Sequence, residues 1–291
     1  MKTKDILAAL LVITIWGISF PVVKLGLEEI PPILFIALRF IIVAIPAVFF
    51  VPFPKTSIWN VIAVGVLIGI IKFGLLFIAM QDNANAGTAS LILQAQVFFT
   101  ILLSYFLFKE GIKGAQGIGI MLAIAGFMLF FASAEGNITS LGLILILGAS
   151  LAWAFANVVM KHMRGVNLLH FMVWVSLVPP LPLLIISVVL ETSHPIAIMR
   201  QLSPGGWFAI AYMGYLSTLI AYALWGYLLN EYKAATITPF ALLIPVVGIF
   251  TATIFLQETL TNMEIIGAVF VMIGLVLCNM SAQLMRIWHK D

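Results

Sequence analysis

Charge is scarce in this sequence. Only 9% of its 291 residues are Asp, Glu, Lys or Arg, where a soluble domain carries ~25%. No acidic residue lies deep in an apolar run. Multidrug exporters of cations need a buried carboxylate to hold the cation and exchange protons, so that class is disfavoured. The single cysteine, Cys278, sits in the last apolar run. It allows no disulfide framework and reads as a small packing residue. No Gly-rich phosphate loop runs into Lys-Ser/Thr, so ATP is not the expected driver. His162, His170, His194 and His289 stand near run ends or between runs, none in a His-Glu-x-x-His pattern. With no Gly-x-Ser-x-Gly elbow and no buried carboxylate pair, an intramembrane enzyme is the disfavoured reading. No polar ring or filter-like loop suggests a channel.

What the chain has in abundance is apolar sequence: 63% hydrophobic residues and a mean hydropathy of +1.20. A soluble domain is ~45–50% apolar, so this is an all-α, polytopic membrane protein. Charges, Pro and Gly divide the apolar sequence into ten expected spans. They are 5–26, 32–52, 58–80, 85–108, 113–132, 140–162, 168–190, 206–229, 235–256 and 263–285. The first run has no small-x-small cleavage site and continues through Pro21 and Lys24, so it reads as a retained helix. Loops are short and leave no room for a soluble domain. If the N-terminus is cytoplasmic, the cytoplasmic ends carry Lys2, Lys4, Lys55, Lys109, Lys113, Lys161, Arg164, Lys233, Arg286 and Lys290. The opposite ends carry Lys24 and Arg200, while Glu135 and most other acids also fall on that side. This positive-inside bias places both termini in the cytoplasm. The net charge of +3 reflects that orientation and not a nucleic-acid partner.

The chain also repeats itself. Trp16-Gly-Ile-Ser-Phe-Pro-Val-Val-Lys24 returns as Trp153-Ala-Phe-Ala-Asn-Val-Val-Met-Lys161. Helical residues at i, i+4 and i+8 lie nearly on one stripe, so Trp16, Phe20 and Lys24 share a face, as do Trp153, Asn157 and Lys161. Ala86 to Leu129 matches Ala234 to Leu277 at a constant offset of 148, including Glu110/Glu258, Gly119/Gly267 and Gly126/Gly274. Five spans per half is an odd number, so the halves, 1–133 and 138–286, are expected in opposite orientations with a substrate site between them near the midplane. The Gly-x6-Gly pairs read as helix-packing positions.

The Trp-Gly…Phe…Lys-x-Gly opening, Arg39 and the five-plus-five halves resemble the EamA family of the drug/metabolite transporter superfamily. The resemblance covers essentially the whole chain. Three stretches point within that family to its exporters of O-acetylserine and cysteine. They are Trp16 to Leu27, Ala89-Ser-Leu-Ile-Leu-Gln-Ala-Gln-Val-Phe-Phe-Thr-Ile101, and Tyr222 to Leu229 with the later Leu-Ile-Pro-Val-Val-Gly. The resemblance implies an inner-membrane metabolite exporter working by alternating access. Lys72 stands where an uncharged polar group is expected.

Candidate transport residues follow from the cost of polar groups in lipid. An ionisable side chain in the membrane costs at least ~2.5–3.5 kcal/mol, which makes it a functional candidate. Lys72 lies ~12 Å from its span end at 1.5 Å per residue, too deep for easy snorkelling, and is expected to face a cavity. Burial penalises its charged form, so proton coupling through Lys72 is open. Arg39, at similar depth, either pins spans 1 and 2 through helix-end carbonyls or meets substrate. Lys24 and Lys161, nearer span ends, are expected to snorkel. Gln94 and Gln96 need polar partners, but at two steps of ~100° they cannot both face one narrow cavity. Asn157 is either a ligand or an interhelical bond. Tyr215, Leu219, Tyr222 and Trp225 form one stripe in span 8, deeper than an interfacial belt at Tyr215 and Tyr222, and Trp16 is likewise too deep for one. Pro21, Pro239 and Pro245 interrupt spans 1 and 9, as static kinks or flex points.

Positive charge without buried acid favours a zwitterionic or anionic small molecule such as cysteine or O-acetylserine. A larger aromatic amino acid, a nucleotide sugar or a drug is the rival cargo. Membrane lipid is the other expected partner. No cofactor or metal is implied, and monomer and dimer are left open.

Overall fold

A computed structural model describes residues 1–133, 136–161, 163 and 165–288, with side chains described for all of these except 234, 235 and 280–288. Glu135, His162, Arg164, His289 and Lys290 therefore lie outside the described residues, and so does the side chain of Arg286. Among the described residues there is no strand, only an isolated bridge between Ala84 and Ile138.

Among the described residues, nine helices are long and apolar enough to cross a membrane. In chain order with one shorter apolar helix, they are α1 (Thr3–Gly26), α2 (Pro32–Ala47, the short one), α3 (Ile58–Asp82), α4 (Ala86–Phe108), α5 (Gly114–Ala132), α6 (Ser140–Lys161), α7 (Leu168–Leu190), α8 (Pro204–Glu231), α9 (Thr238–Leu256) and α10 (Asn262–Trp288). The second span ends at Ala47, five residues earlier than 32–52 implied. Pro46 sits in its last turn, and Pro52 and Pro54 follow, so the helix cannot be extended through that stretch.

Local chemistry sets several of the helix starts. Ser57, Asn167 and Ser203 accept bonds from the first free backbone N–H groups of α3, α7 and α8. Carboxylates from other segments do the same at a distance. Glu258 accepts from the N–H groups of Ala86 and Gly87, both at 2.9 Å. Glu191 accepts from Ile33 and Leu34 at 2.7 and 3.0 Å. A negative charge at a helix N-terminus also meets the positive end of the helix dipole.

The offset of 148 residues is visible in the backbone. Lys109 and Gln257 are the two non-glycine residues with positive φ, 54° and 56°, among those described. They end α4 and α9, and each is followed by the matching Glu whose N–H bonds back, Glu110 to Ser104 and Glu258 to Ala252, both at 3.4 Å. Helices related by the offset pack as pairs. A β-carbon on Gly119 would stand 2.7 Å from the carbonyl oxygen of Gly274, and one on Gly126 the same distance from that of Gly267. The glycines thus let α5 and α10 meet backbone to backbone, the packing role expected of them.

Four helices depart from α geometry where they border the centre of the protein. Gly65–Lys72 in α3 and Tyr212–Ile220 in α8 are π-helical. α4 is broken at Leu93 and Gln94, between Ala86–Ile92 and Ala95–Phe108. α9 opens as a 3₁₀ turn, Thr238–Leu243, before its α-helical part, Ile244–Leu256. Pro239 and Pro245 each stand in the first turn of one of these two pieces, where a missing N–H costs least. Pro21, expected to interrupt α1, lies inside an unbroken helix.

Candidate functional site

The departures from α geometry surround a cavity of about 660 Å³. All ten helices contribute to its wall. Trp16 anchors the middle. Its Nε1 donates to the carbonyl of Ser217 on α8 at 3.1 Å. Its ring meets Tyr222 and Trp225 edge-on, with centroids 5.5 and 5.3 Å apart. A deep indole that has found a hydrogen-bond partner is a rigid wall, not an interfacial anchor.

Lys72 lies at the end of the π-helical segment of α3 and is 6% exposed. Its ammonium rests over Phe73, 3.5 Å from the centroid, and over Trp153 at 4.5 Å. Ring faces supply a partial counter-charge. Arg39 on α2 is 2% exposed and lines the same cavity. Its guanidinium lies over Phe73 at 4.1 Å and Phe40 at 4.9 Å, and its Nη2 donates to Thr218 Oγ1 at 3.0 Å. Arg39 bonds no helix-end carbonyl among the described residues. That pinning role belongs to Lys24, whose Nζ donates to the carbonyls of Met80, Gln81 and Ala84 at 2.5, 3.1 and 3.2 Å. A lysine at a helix C-terminus meets three open acceptors and the negative end of the dipole, so Lys24 has no need to snorkel. Lys161, its repeat partner, pairs with Glu110 at 2.6 Å near the other end of the protein.

Gln94 and Gln96 both line the cavity. The expectation that only one of them can do so assumed a continuous helix. The break at Leu93 and Gln94 resets the wheel between them. Gln94 Nε2 donates to the carbonyl of Ala241 at 3.3 Å. Gln96 Oε1 accepts from Asn157 Nδ2 at 2.7 Å, and Asn157 Nδ2 also reaches Thr100 Oγ1 at 3.3 Å. Asn157 is therefore an interhelical tie and a cavity residue at once. Tyr215 is the exception to the α8 stripe: it is 41% exposed and absent from the cavity wall, whereas Tyr222 and Trp225 line it. The π-helical turn Tyr212–Ile220 has more residues per turn than an α-helix, so the wheel that aligned Tyr215 with Tyr222 does not hold across it.

Residues at or beside the wall that carried no prior signal are Ser217, whose carbonyl meets Trp16, Thr218, which accepts from Arg39, and Phe73, whose ring lies under both Lys72 and Arg39. No Asp or Glu occurs among the described residues lining the cavity. No group of three metal-ligating side chains occurs among the described residues. The wall reaches Val23 and Met80 at one end and Gln116, Met160, Leu229 and Asn279 at the other.

Comparison with known proteins adds identity to this geometry. The model of the EamA-like transporter family matches residues 3–132 and 140–280. A protein of Salmonella typhimurium described as a probable amino-acid metabolite efflux pump is 39% identical over 282 residues, covering 94% of this chain and 94% of its own. One of the same description from Escherichia coli is 37% identical over 285 residues with the same coverage. A crystal structure of a protein 17% identical shares the fold, with a TM-score of 0.65 over 98% of this chain and 99% of that one.

Proposed function

The chain belongs to the EamA-like transporter family and is a multi-pass inner-membrane exporter, and from that starting point we propose that it carries small amino acids or their derivatives, of the cysteine and O-acetylserine type, by alternating access. The observation that carries this reading is the cavity itself: two buried cations, Lys72 and Arg39, and no carboxylate in the described wall. Such a wall attracts a carboxylate and repels a quaternary amine. The two relatives described as probable amino-acid metabolite efflux pumps support the coarser part of this reading, an amino-acid metabolite as cargo.

On this reading Lys72 holds the substrate carboxylate. Gln94 and Gln96 bond its polar groups, together with Asn157. Trp16, Tyr222 and Trp225 shape the wall. The ten helices are two inverted halves, 1–133 and 138–286, with both termini cytoplasmic, and the matching caps at Lys109 and Gln257 support that symmetry. The cavity end at Gln116, Met160 and Leu229 then faces the cytoplasm, the loading side for export. The other end is closed by the Lys24 and Glu258 bonds. Pro239 and Pro245, at the junctions of the broken α9, serve as flex points, and a proton on Lys72 travels with the cycle. A second cavity of about 550 Å³, lined by apolar side chains including Phe98, Phe127 and Leu147, takes a lipid chain.

The test is counterflow in proteoliposomes loaded in turn with cysteine, O-acetylserine, a large aromatic amino acid and a quaternary amine. Tracer accumulation driven by the first two supports the reading. Accumulation driven by the amine alone overturns it.

A further inference from the structure

Arg39 is bonded in a way that a purely structural arginine has no reason to be. It is 2% exposed, yet its Nε and Nη1 have no hydrogen-bond partner among the described residues. A guanidinium presents five N–H donors in a flat fork, and each buried donor left unpaired is costly. One corner is clamped. Thr218 donates its own proton to the carbonyl of Met213, at 2.9 Å across the π-helical turn, and so offers Arg39 Nη2 an acceptor. The rings of Phe40 and Phe73 flank the cation and offer it no oxygen or nitrogen acceptor. With Nε and Nη1 both open, each two-pronged edge of the fork keeps a free donor, the geometry that accepts a carboxylate.

Lys72 stands close by. Its ammonium is 3.5 Å and the Arg39 guanidinium 4.1 Å from the centroid of the same Phe73 ring, so the two positive centres are no farther apart than those distances together. Two cations that share one aromatic ring, in a wall with no acid among its described residues, together raise the positive potential that an anion meets there. Resting on the reading of this cavity as the transport site, we infer that Arg39 and Lys72 form one anion-binding site, and that the preferred cargo is an amino-acid derivative of net negative charge. Its amino group is acylated, or it carries a second acid. A zwitterion such as cysteine is carried through the same carboxylate contact but more weakly, because its ammonium meets no carboxylate among the described wall residues. The aromatic box of Trp16, Tyr222 and Trp225 and the amides of Gln94 and Gln96 suit the neutral remainder of such a molecule.

The test uses the full chain in proteoliposomes, with half-saturation measured for cysteine, N-acetylcysteine, N-acetylcysteine methyl ester and succinate. In the wild type, N-acetylcysteine half-saturates at a concentration about tenfold below cysteine, and its ester, which has lost the carboxylate, shows no saturable transport. Arg39→Gln raises half-saturation for N-acetylcysteine by about tenfold with maximal rate within about twofold, and Arg39→Lys restores part of the loss. A structural role would instead lower maximal rate and folded yield for every cargo alike. Equal half-saturation of cysteine and N-acetylcysteine in the wild type, which needs no variant to fold, overturns the inference, as does an Arg39→Gln protein indistinguishable from wild type. If the wild type carries succinate with the same Arg39 dependence but none of the cysteine compounds, the anion site stands and the amino-acid reading falls. If cysteine is carried and Arg39→Gln changes nothing, the reading stands and the anion site falls.

Discussion

Single side chains in this protein are placed by what they would otherwise lack. Lys24 reaches three carbonyls at the end of α3 because those oxygens have no helical partner. Replacing it with Met strips a charge-assisted donor from all three and should lower the midpoint of thermal unfolding in detergent, as scanning fluorimetry would show. Hydrogen bonds to charged groups are worth about 1.5–3 kcal/mol, so the shift should be readily resolved. Outside the membrane, Glu29 accepts from the Ser203 hydroxyl and N–H, and those bonds hold its carboxyl below the usual 4.5. A carboxylate with a depressed folded value contributes stability that is complete above 4.5 and is lost as the pH falls through the folded value. Glu29→Gln should flatten that part of the acid stability profile and leave the profile near neutrality unchanged in slope. The depth of Lys72 and of Arg39 was legible from composition alone, because an ionisable residue in an apolar run is conspicuous. The orphaned donors of Arg39 were not, since which partner a guanidinium finds depends on Thr218, a residue 179 positions away.

Helices here are informative where they stop being regular. Apolar runs bounded by charges, Pro and Gly mark the ten segments, and their boundaries agree with the described helices to within a few residues in most cases; helical periodicity then says which residues share a face. It fails at Gln94, Gln96 and Tyr215, and for one reason: each inference assumed 3.6 residues per turn across a place where the backbone is broken or π-helical. Nothing in local propensity marks Tyr212–Ile220 as π-helical. The positive-φ caps at Lys109 and Gln257 offer a clean test of element-level energetics. Each holds a side chain where glycine is favoured. Gln257→Gly should therefore stabilise the protein by relieving up to about 1–2 kcal/mol of left-handed backbone strain, measured as a rise in unfolding midpoint. The contact between α5 and α10 runs the other way. A valine at Gly126 would drive its β-carbon against the Gly267 carbonyl and Val271. Overpacking of this kind costs about 1–3 kcal/mol, and Gly126→Val should reduce both folded yield and midpoint.

At the scale of the whole molecule, the irregular helices and the charge distribution meet in one place. The repeat that opens each half puts Trp16 and Trp153 into the same cavity, one as wall and one as cover for Lys72. That convergence could be anticipated from the duplicated Trp-x7-Lys spacing, although Trp153 itself showed no sign of covering a charge. The family, the inner-membrane location and the exporter class rest on the matched relatives. The feature on which the transport reading turns is the cationic pair at the centre of the cavity. The most direct measurement of that claim is counterflow of an amino-acid tracer by Lys72→Gln protein against wild type, in proteoliposomes matched for folded protein. Half-saturation should rise by about tenfold or more, because the carboxylate loses its ammonium partner in a low-dielectric wall. Accumulation by Lys72→Gln with wild-type half-saturation and rate would contradict it.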